Sequence, residues 1–325
     1  YLPAFQDGVV TGAATCVMCS YNAETYGSGV YGNGSEAQSG AIPSCANKGL
    51  LNDLIRDTWG FDGYVTSDCG AVSDVMNTHA YTNTSADTVN AVMQAGMDTD
   101  CGSFMDQGLM SYLLKAGTIT QELADSALSR LFKVQFRLGF FDPPNSVPYG
   151  LIDESAVNTE AHQALAKEAA DQSMVLLKNV NASLPLNADR SLKVAMIGRN
   201  ANASENMQGN YYGDAPFLVT PLEGVSRYAG SVVYSDGSDV DHAVALAATA
   251  DVTVLVVGLT SEAVSPSDEA EGKDRTSLIL PYDQDTLIGA VANVSRQTSL
   301  VIMSGGPVDV TQWRDSDKVQ SIMWC

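Results

Sequence analysis

Two acidic stretches contain the side chains best suited to chemistry, one in each half of the chain. The first is Gly63–Gly70, in which Asp68 follows a run of β-forming residues. The second is the polar segment Ser267–Arg275, which holds Glu269 and Glu271. Glycoside hydrolysis needs such a pair of carboxyl groups across one bond, one carboxylate as the nucleophile and one carboxylic acid as the proton donor.

Each acidic stretch also has a simpler interpretation. Asp68 ends a predicted strand, and in a parallel α/β barrel that edge carries the catalytic residues, where a carboxylate could attack a carbon atom or hold a cation. Asp is also common in strand-to-helix turns, so Asp68 could equally be a helix cap. The segment Ser267–Arg275 could be a solvated charge cluster. The pattern alone favours these structural interpretations.

The segments around Asp68 alternate between strands and helices. The predicted strands are Cys16–Met18, Gly63–Ser67 and Met97–Cys101. The spacing of apolar residues predicts helices over Lys48–Trp59, Ser85–Gly96 and Phe104–Ala116, and a further helix that ends at Leu138. Thr118–Gln121 has the composition of a capping box for that last helix, and residues 23–44 are predicted to form an exposed loop near the substrate. The alternation predicts βα units and a parallel sheet.

Three prolines in Phe140–Pro148 interrupt this alternation. We therefore predict a first domain over residues 1–145, a linker over 146–160 and a second domain over 161–325. The strands predicted in the second domain are Val175–Lys178, Leu192–Gly198, Ser231–Tyr234, Asp251–Gly258 and Ser299–Ser304. The helices predicted there are Ala161–Met174, Asp241–Ala250 and Gln284–Val294. These elements predict an open sheet with helices on both faces.

The composition excludes several classes of partner. The 325 residues carry a formal net charge of −21, and the isoelectric point is about 4.2. Nucleic acids and anionic membranes would therefore be repelled, and a neutral ligand is favoured. The sequence contains no run of about 18 apolar residues, so no membrane-spanning helix is predicted. The oligomeric state is left open.

No motif for a nucleotide cofactor or a metal accompanies the acidic stretches. The sequence lacks GxGxxG, the P-loop motif, GxSxG and HExxH. Cys16 and Cys19 have the spacing of a CxxC motif, but neither a second such pair nor a histidine at ligand spacing accompanies them. We therefore predict no zinc site, no other metal and no cofactor.

The cysteines and glycosylation sequons favour an oxidising, extracellular compartment. The six cysteines are at positions 16, 19, 45, 69, 101 and 325. Sequons for N-glycosylation begin at Asn33, Asn83, Asn181, Asn202 and Asn293. The first residues, Tyr1–Phe5, lack the basic start and apolar core of a signal peptide, so we expect a mature product or a fragment.

Eight segments in one order resemble a known family. They are Val17–Asn22, Ile42–Cys45, Leu54–Cys69, Ala95–Asp98, Arg137–Asp142, Val175–Asn179, Gly209–Gly213 and Glu269–Arg275 with Leu280-Pro281. They resemble the family 3 glycoside hydrolases, in particular the β-xylosidase-like branch, along nearly the whole chain. The resemblance implies the C-terminal part of a (β/α) barrel-like catalytic domain, followed by an incomplete α/β sandwich domain, with the active site between them.

The resemblance also implies roles for individual residues. Asp68 resembles the nucleophile that attacks the anomeric carbon. Glu269 resembles the acid/base, with Glu271 as the alternative, and this group must be protonated near neutral pH to act as an acid. Tyr21 resembles the tyrosine beside the nucleophile, whose hydroxyl could bind Asp68. Met18 resembles a neighbour that lines the same substrate pocket, although simple core packing is an equal alternative for it.

Cys69 directly follows Asp68. Members of the xylosidase-like branch have cysteine at this position, whereas glucosidase-type relatives commonly have tryptophan there. By this resemblance Cys69 borders the sugar, and a disulfide between Cys69 and Cys101 would narrow the pocket for a pentose. A second disulfide is implied between Cys19 and Cys45. The alternative is that all four are buried free thiols.

The resemblance implies a retaining exo-glycosidase that removes terminal β-linked xylose from oligosaccharides. It leaves open whether α-L-arabinofuranose is removed as well. The alternatives are a β-glucosidase of the same family and a non-catalytic sugar-binding remnant. Family members have a segment before the position of Tyr1 that supplies a Lys-His pair, an Arg and an Asp to the sugar. We therefore expect this chain to be a fragment, and its own activity is left open.

Overall fold

The computed structural model describes residues 1–24, 40–187, 191–209, 211–261, 268–271 and 273–325. Most of the predicted loop 23–44, the sequon at Asn33 and the residues Ser267, Gly272 and Asn210 lie outside these ranges. The chain divides into two compact units, Tyr1–Glu154 and Ser155–Cys325. The division falls within the segment 146–160, and the domain boundaries given above stay a prediction.

The first unit contains five α-helices within its described residues. They are α1 (Leu2–Val10), α2 (Ala71–Asn77), α3 (Ser85–Ala95), α4 (Gln107–Ala116) and α5 (Gln121–Arg137). A π-helix covers Gly49–Thr58, where a helix was predicted, and 3₁₀ turns cover Ser44–Ala46, Pro144–Ser146, Pro148–Leu151 and, at the junction of the units, Glu154–Ala156. The chain segments between the helices form short strands.

The strands of the first unit are β1 (Cys16–Cys19), β2 (Ala23–Glu24), β3 (Ile42–Pro43) and β4 (Tyr64–Ser67). β1 and β4 are parallel, with Cys19 opposite Ser67, so both strands end at the same edge. β2 and β3 form a separate antiparallel pair. The core beneath β4 is apolar, and Val65, Val72 and Val89 are completely buried in it.

Three predictions for the first unit were wrong in detail. Met97–Cys101 is not a regular strand, because Thr99 makes only an isolated parallel bridge with Thr66. Thr120, not Thr118, caps α5, since its hydroxyl accepts the backbone N–H of Leu123. Helix α4 begins at Gln107, where Asp106 accepts the N–H of Leu109. The helix α1 was not predicted.

The second unit is built on a six-stranded sheet. Its strands are β5 (Val175–Asn179), β6 (Lys193–Ile197), β7 (Ser231–Ser235), β8 (Val252–Gly258), β9 (Thr298–Met303) and β10 (Ser321–Trp324). Their order across the sheet is β5-β10-β9-β8-β6-β7. Every pair is parallel except the edge pair of β10 and β5. The α/β class is thus confirmed, with a mixed rather than purely parallel sheet.

Side chains alternate between the two faces of each strand, and helices pack against both faces of the central strands, as predicted, whereas the edge strand β5 is exposed. One face, which includes Leu255 and Val257, packs against Ala243, Ile288 and further residues of three helices. The other face, which includes Val256, packs against side chains of a shorter helix. The helices of this unit are α6 (Glu160–Ser173), α7 (Pro221–Ser226), α8 (Val240–Ala248), α9 (Gln284–Val294) and α10 (Thr311–Asp315), with 3₁₀ turns at Val180–Ala182 and Glu205–Gln208. None of the described helices combines the length and apolar character needed to cross a membrane.

Candidate active site

Asp68 lies in the turn between β4 and α2, directly after the buried end of the strand. Its backbone N–H donates to the carbonyl of Cys19 at 2.8 Å, and its carbonyl accepts the N–H of Ala71 at 3.0 Å. One residue earlier, the N–H of Ser67 donates to Thr99 O at 3.0 Å. These bonds join the ends of three neighbouring chain segments, so the position of Asp68 is set by the backbone.

The Asp68 carboxylate is held through one of its two oxygens. Oδ1 accepts the backbone N–H of Cys69 at 2.7 Å and lies 3.1 Å from the hydroxyl of Tyr21. The same hydroxyl lies 2.8 Å from the carbonyl oxygen of Cys69, so its single hydrogen has two acceptors. Within the described residues no donor binds Oδ2 of Asp68. One oxygen is therefore oriented, and the described residues leave the other without a donor.

Disulfides flank both members of the Tyr21–Asp68 pair. Cys19 is bonded to Cys45 and Cys69 to Cys101, the same pairs that the resemblance implies. The backbone N–H of Gly70 also donates to Cys101 O at 2.7 Å. The disulfides tie the chain next to the nucleophile candidate to the adjacent strand ends, while Cys16 and Cys325 are free.

His79 supports Tyr21 from beyond the end of α2. Its Nε2 lies 2.7 Å from the backbone carbonyl oxygen of Tyr21, and because a carbonyl only accepts, Nε2 must carry the hydrogen. His79 thus fixes the backbone from which the Tyr21 hydroxyl reaches Asp68.

Glu24 lies nearby in the sequence, at the end of β2. It accepts an N–H from Asn47 at 3.2 Å, and burial raises the pKa of this glutamate.

A buried carboxylate, Asp98, fixes the strand that leads to Asp68. Its side chain is completely buried and accepts the N–H of Val65 at 2.8 Å. Arg56 Nη2 and Arg130 Nε each donate to it at 2.7 Å. Arg56 also donates to the carbonyls of Gly63 and Gly96, at 2.8 and 3.1 Å. This arrangement satisfies the buried charge and joins β4 to two helices.

Glu269 lies in the polar loop after β8 of the second unit. Its backbone N–H donates to Thr260 O at 3.2 Å, and its Oε1 accepts the N–H of Gly305 at 3.2 Å. The preceding residue, Asp268, is nearly buried and accepts the N–H and hydroxyl of Thr260 at 2.9 and 3.0 Å. Arg199 completes this group with a 3.2 Å ion pair to Asp268. The neighbour of Glu269 is thus firmly anchored.

Glu271 lies in the same loop but has a different partner. Its Oε2 accepts the hydroxyl of Tyr211 at 2.8 Å. Glu269 and Glu271 both line a cavity of about 810 Å³. The other residues around it are Gly209, Ser261, Ala270, Lys273, Asp274, Arg275, Thr276, Ser277, Leu278, Gly306 and Pro307. Both acid/base candidates therefore border a space large enough for a sugar.

The residues singled out in the sequence fall into two groups. Tyr21, Asp68 and Cys69 are in direct contact, and Met18 lies on β1, where its side chain is 52% exposed. Glu269 and Glu271 form the second group, in the other unit. That Asp68 and Glu269 act across one bond stays a prediction. No group of three or more His, Cys, Asp or Glu side chains suited to a metal ion occurs within the described ranges.

Sequence reasoning missed three features of these sites. The first is His79, the second is Asp98, and the third is the Gly305-Gly306 step beside Glu269. Asp98 belongs to the segment Ala95–Asp98, which resembles the family, but the resemblance implied no role for this residue. His79 and the glycines carry no local pattern, because their partners are distant in the sequence.

Comparisons with known proteins agree along the whole chain. Residues 1–134 match the glycosyl hydrolase family 3 N-terminal domain, and residues 174–325 match the family's C-terminal domain. The chain is 39% identical to "Beta-D-xylosidase 1" of Arabidopsis thaliana and 37% identical to "Beta-xylosidase/alpha-L-arabinofuranosidase 1" of Medicago sativa subsp. varia. Each match covers 100% of this chain but only 40% of the relative.

The chain is also similar to solved structures of a β-xylosidase and of a β-glucosidase. A GH3 exo-β-xylosidase in complex with a xylobiose aziridine activity-based probe matches with a TM-score of 0.86 and 32% identity, over 100% of this chain and 40% of that one. A β-glucosidase from Erythrobacter marinus matches with a TM-score of 0.79 and 25% identity, over 99% of this chain and 45% of that one. The two domain models, one after the other, account for most of the chain, which therefore belongs to glycosyl hydrolase family 3.

Proposed function

We propose that this chain carries the two catalytic carboxyl groups of a retaining exo-glycosidase that releases terminal β-linked xylose. The observation that carries the proposal is the Asp68 carboxylate, oriented through Oδ1 by Cys69 N–H and the Tyr21 hydroxyl, with Oδ2 free of donors among the described residues. A carboxylate that attacks carbon needs one fixed oxygen and one accessible oxygen. The membership in family 3 supports this role.

The proposed reaction has two displacement steps. Asp68 Oδ2 bonds to the anomeric carbon while the bond to the leaving-group oxygen breaks, and Glu269 gives its proton to that oxygen. Glu269 then accepts a proton from water as the water oxygen bonds to the same carbon and the ester to Asp68 breaks. This sequence retains the configuration of the sugar and requires the two carboxyl groups to lie about 5–5.5 Å apart.

The proposed preference for pentoses rests on the relatives and on Cys69. The matched plant relatives are named β-xylosidases, and the Medicago relatives are also named α-L-arabinofuranosidases. We propose that the Cys69–Cys101 disulfide narrows the space beside Asp68, and that Tyr21 and Met18 line it. The second candidate function, β-glucosidase, is favoured by the structural likeness to the Erythrobacter marinus enzyme.

Substrate profiling with matched variants tests this proposal. The protein at its full natural length is assayed with aryl β-xyloside, α-L-arabinofuranoside and β-glucoside. We expect xyloside hydrolysis to dominate and Asp68→Asn to lower it by roughly 10⁴-fold or more, as enzymes lose activity on this scale without a covalent nucleophile. Asp74→Asn, in α2, is the control and should retain activity. Hydrolysis of glucoside alone would refute the pentose preference. Unaltered hydrolysis by Asp68→Asn would show that another residue is the nucleophile, and hydrolysis of none of the three substrates would indicate a non-catalytic protein.

We also propose that the protein is a secreted glycoprotein. The two disulfides support an oxidising compartment. The four sequon asparagines within the described residues, Asn83, Asn181, Asn202 and Asn293, are all exposed. Treatment of the protein from its natural source with an N-glycosidase should lower its mass, and an unchanged mass would contradict the proposal.

A further inference from the structure

Two consecutive glycines follow the end of β9 and contact the Glu269 carboxyl. The N–H of Gly305 donates to Glu269 Oε1 at 3.2 Å. A Cβ atom added at Gly306 would lie 2.9 Å from Oε2, and one added at Gly305 would lie 3.1 Å from Oε1. Side chains at these positions would therefore compete with the carboxylate for the same space.

The backbone conformation does not explain why these residues are glycine. Gly305 and Gly306 are not among the glycines with positive φ, so an alanine could adopt either conformation. Besides the Glu269 carboxylate, the nearest atom to a Cβ at Gly306 is Leu259 Cδ1 at 3.9 Å, which is an ordinary contact. Among the described residues, the Glu269 carboxylate is thus the one group within 3.4 Å that a side chain at Gly306 would displace.

We propose that Gly305-Gly306 is the positioning element of the acid/base. The Gly305 amide holds Oε1, and the absent side chain at Gly306 leaves room for Oε2 at the wall of the cavity that both Gly306 and Glu269 line. The inference rests on the proposed role of Glu269. Because a glutamate carboxylate is the far end of a flexible side chain, a methyl group at Gly306 moves the carboxyl and leaves the backbone in place.

The test is the dependence of activity on the leaving group in Gly306→Ala. Xylobiose has a poor leaving group that needs a proton from the acid, whereas the dinitrophenolate of 2,4-dinitrophenyl β-xyloside leaves without one. We expect kcat/KM to fall about tenfold or more for xylobiose and by less than about twofold for the dinitrophenyl xyloside. Gly305→Ala, with the looser contact, should show the same selectivity to a smaller extent and provides the result if Gly306→Ala does not fold.

Two comparison variants identify the cause of any result. Gly224→Ala, in α7, adds a methyl group that, beyond the backbone of its own helix, has no described atom within 4 Å, so hydrolysis of both substrates should be unchanged. Glu269→Gln should show the same selectivity as Gly306→Ala, but more strongly. If Glu269→Gln is selective and the glycine variants are not, or lose both activities equally, the inference is overturned and the proposed function stands. If Glu269→Gln itself is not selective, the proposed function fails.

Discussion

The two proposed catalytic carboxyl groups are held in different ways. Asp68 follows a strand, its backbone is bonded to two neighbouring segments, and its carboxylate accepts from Cys69 and Tyr21. Glu269 lies on a loop, and the described residues supply its carboxylate with a single bond, from the Gly305 N–H. A nucleophile must meet one carbon atom, whereas an acid/base must exchange protons with a leaving group and then with water. The tighter support of Asp68 suits the first task and the looser support of Glu269 suits the second.

Each site also has a buried carboxylate that anchors the adjacent backbone. Asp98 binds the N–H of Val65, three residues before Asp68, and pairs with two arginines. Asp268 binds the N–H of Thr260 and pairs with Arg199, directly before Glu269. The loop therefore has a fixed point next to the acid/base, although the glutamate side chain itself is less constrained than Asp68.

The largest effect is expected when Asp98, the buried carboxylate that anchors β4 in the first unit, is removed. Asp98→Ala leaves Arg56 and Arg130 without their buried partner, so we expect a loss of about 3–5 kcal/mol in the free energy of unfolding of this unit. Hydrogen exchange of peptides that contain β4 measures it. Asp62→Ala, which removes exposed ion pairs with Lys133 and Arg137, is the control and should cost less than about 1 kcal/mol. Equal losses would show that Asp98 is not an anchor.

The next effect separates the two glutamates. Glu269→Gln should lower kcat/KM for xylobiose by about 10²–10³-fold, within the range that a general acid contributes. Glu271→Gln retains an oxygen that can accept from Tyr211, so its loss should be below about tenfold. Steady-state kinetics on the two variants decide between them. A larger loss in Glu271→Gln would assign the acid/base to Glu271 and reverse the comparison.

Disulfide removal should affect the two units differently. Both disulfides lie in the first unit, and Cys69–Cys101 spans 32 residues. Cys69→Ser with Cys101→Ser should destabilise that unit by about 2–4 kcal/mol and leave exchange in β8 and β9 unchanged. Cys16→Ser, at a free cysteine, is the matched control. Destabilisation of β8 by the double variant would show that the units do not respond separately.

The smallest effect concerns His79, which acts through Tyr21. His79→Phe removes the donor to Tyr21 O and keeps a ring of similar size, so we expect kcat to fall about tenfold with little change in KM. His79→Gln can place an amide N–H near the position of Nε2 and should restore most of the activity. A KM effect without a kcat effect, or no rescue by glutamine, would show that His79 does not position Asp68 through Tyr21.

Most helices and strands could be predicted from the sequence, because the residues that define each of them are close together in the chain. Helix α9 was predicted with its observed bounds, and β8 within one residue, since apolar periodicity defines the helix and a continuous apolar run that ends in Gly258 defines the strand. Met97–Cys101 was predicted as a strand from its apolar start, but only Thr99 forms a bridge. The side chain of Asp98 there binds Arg56 and Arg130 instead, contacts that no local pattern contains.

The residues of the candidate site likewise fall into those that could be assigned from the sequence and those that could not. Asp68 and Tyr21 could be named from segments that resemble the family, and the structure shows their hydrogen bond. Glu269 and Glu271 could not be separated, because their partners, Gly305 and Tyr211, lie 36 and 60 residues away in the sequence. In the sequence Gly305-Gly306 has the composition of an ordinary turn, and only the structure shows the Glu269 carboxylate beside it.

The most direct measurement is the identification of the residue that bonds to the sugar. The protein at its full natural length is incubated with a xylose-configured aziridine probe, digested and analysed by mass spectrometry. We predict that the probe is attached to Asp68, in the peptide that contains Gly63–Gly70, and that Asp68→Asn is not labelled. Attachment of the probe to another residue, with Asp68 unmodified, would contradict the proposed mechanism.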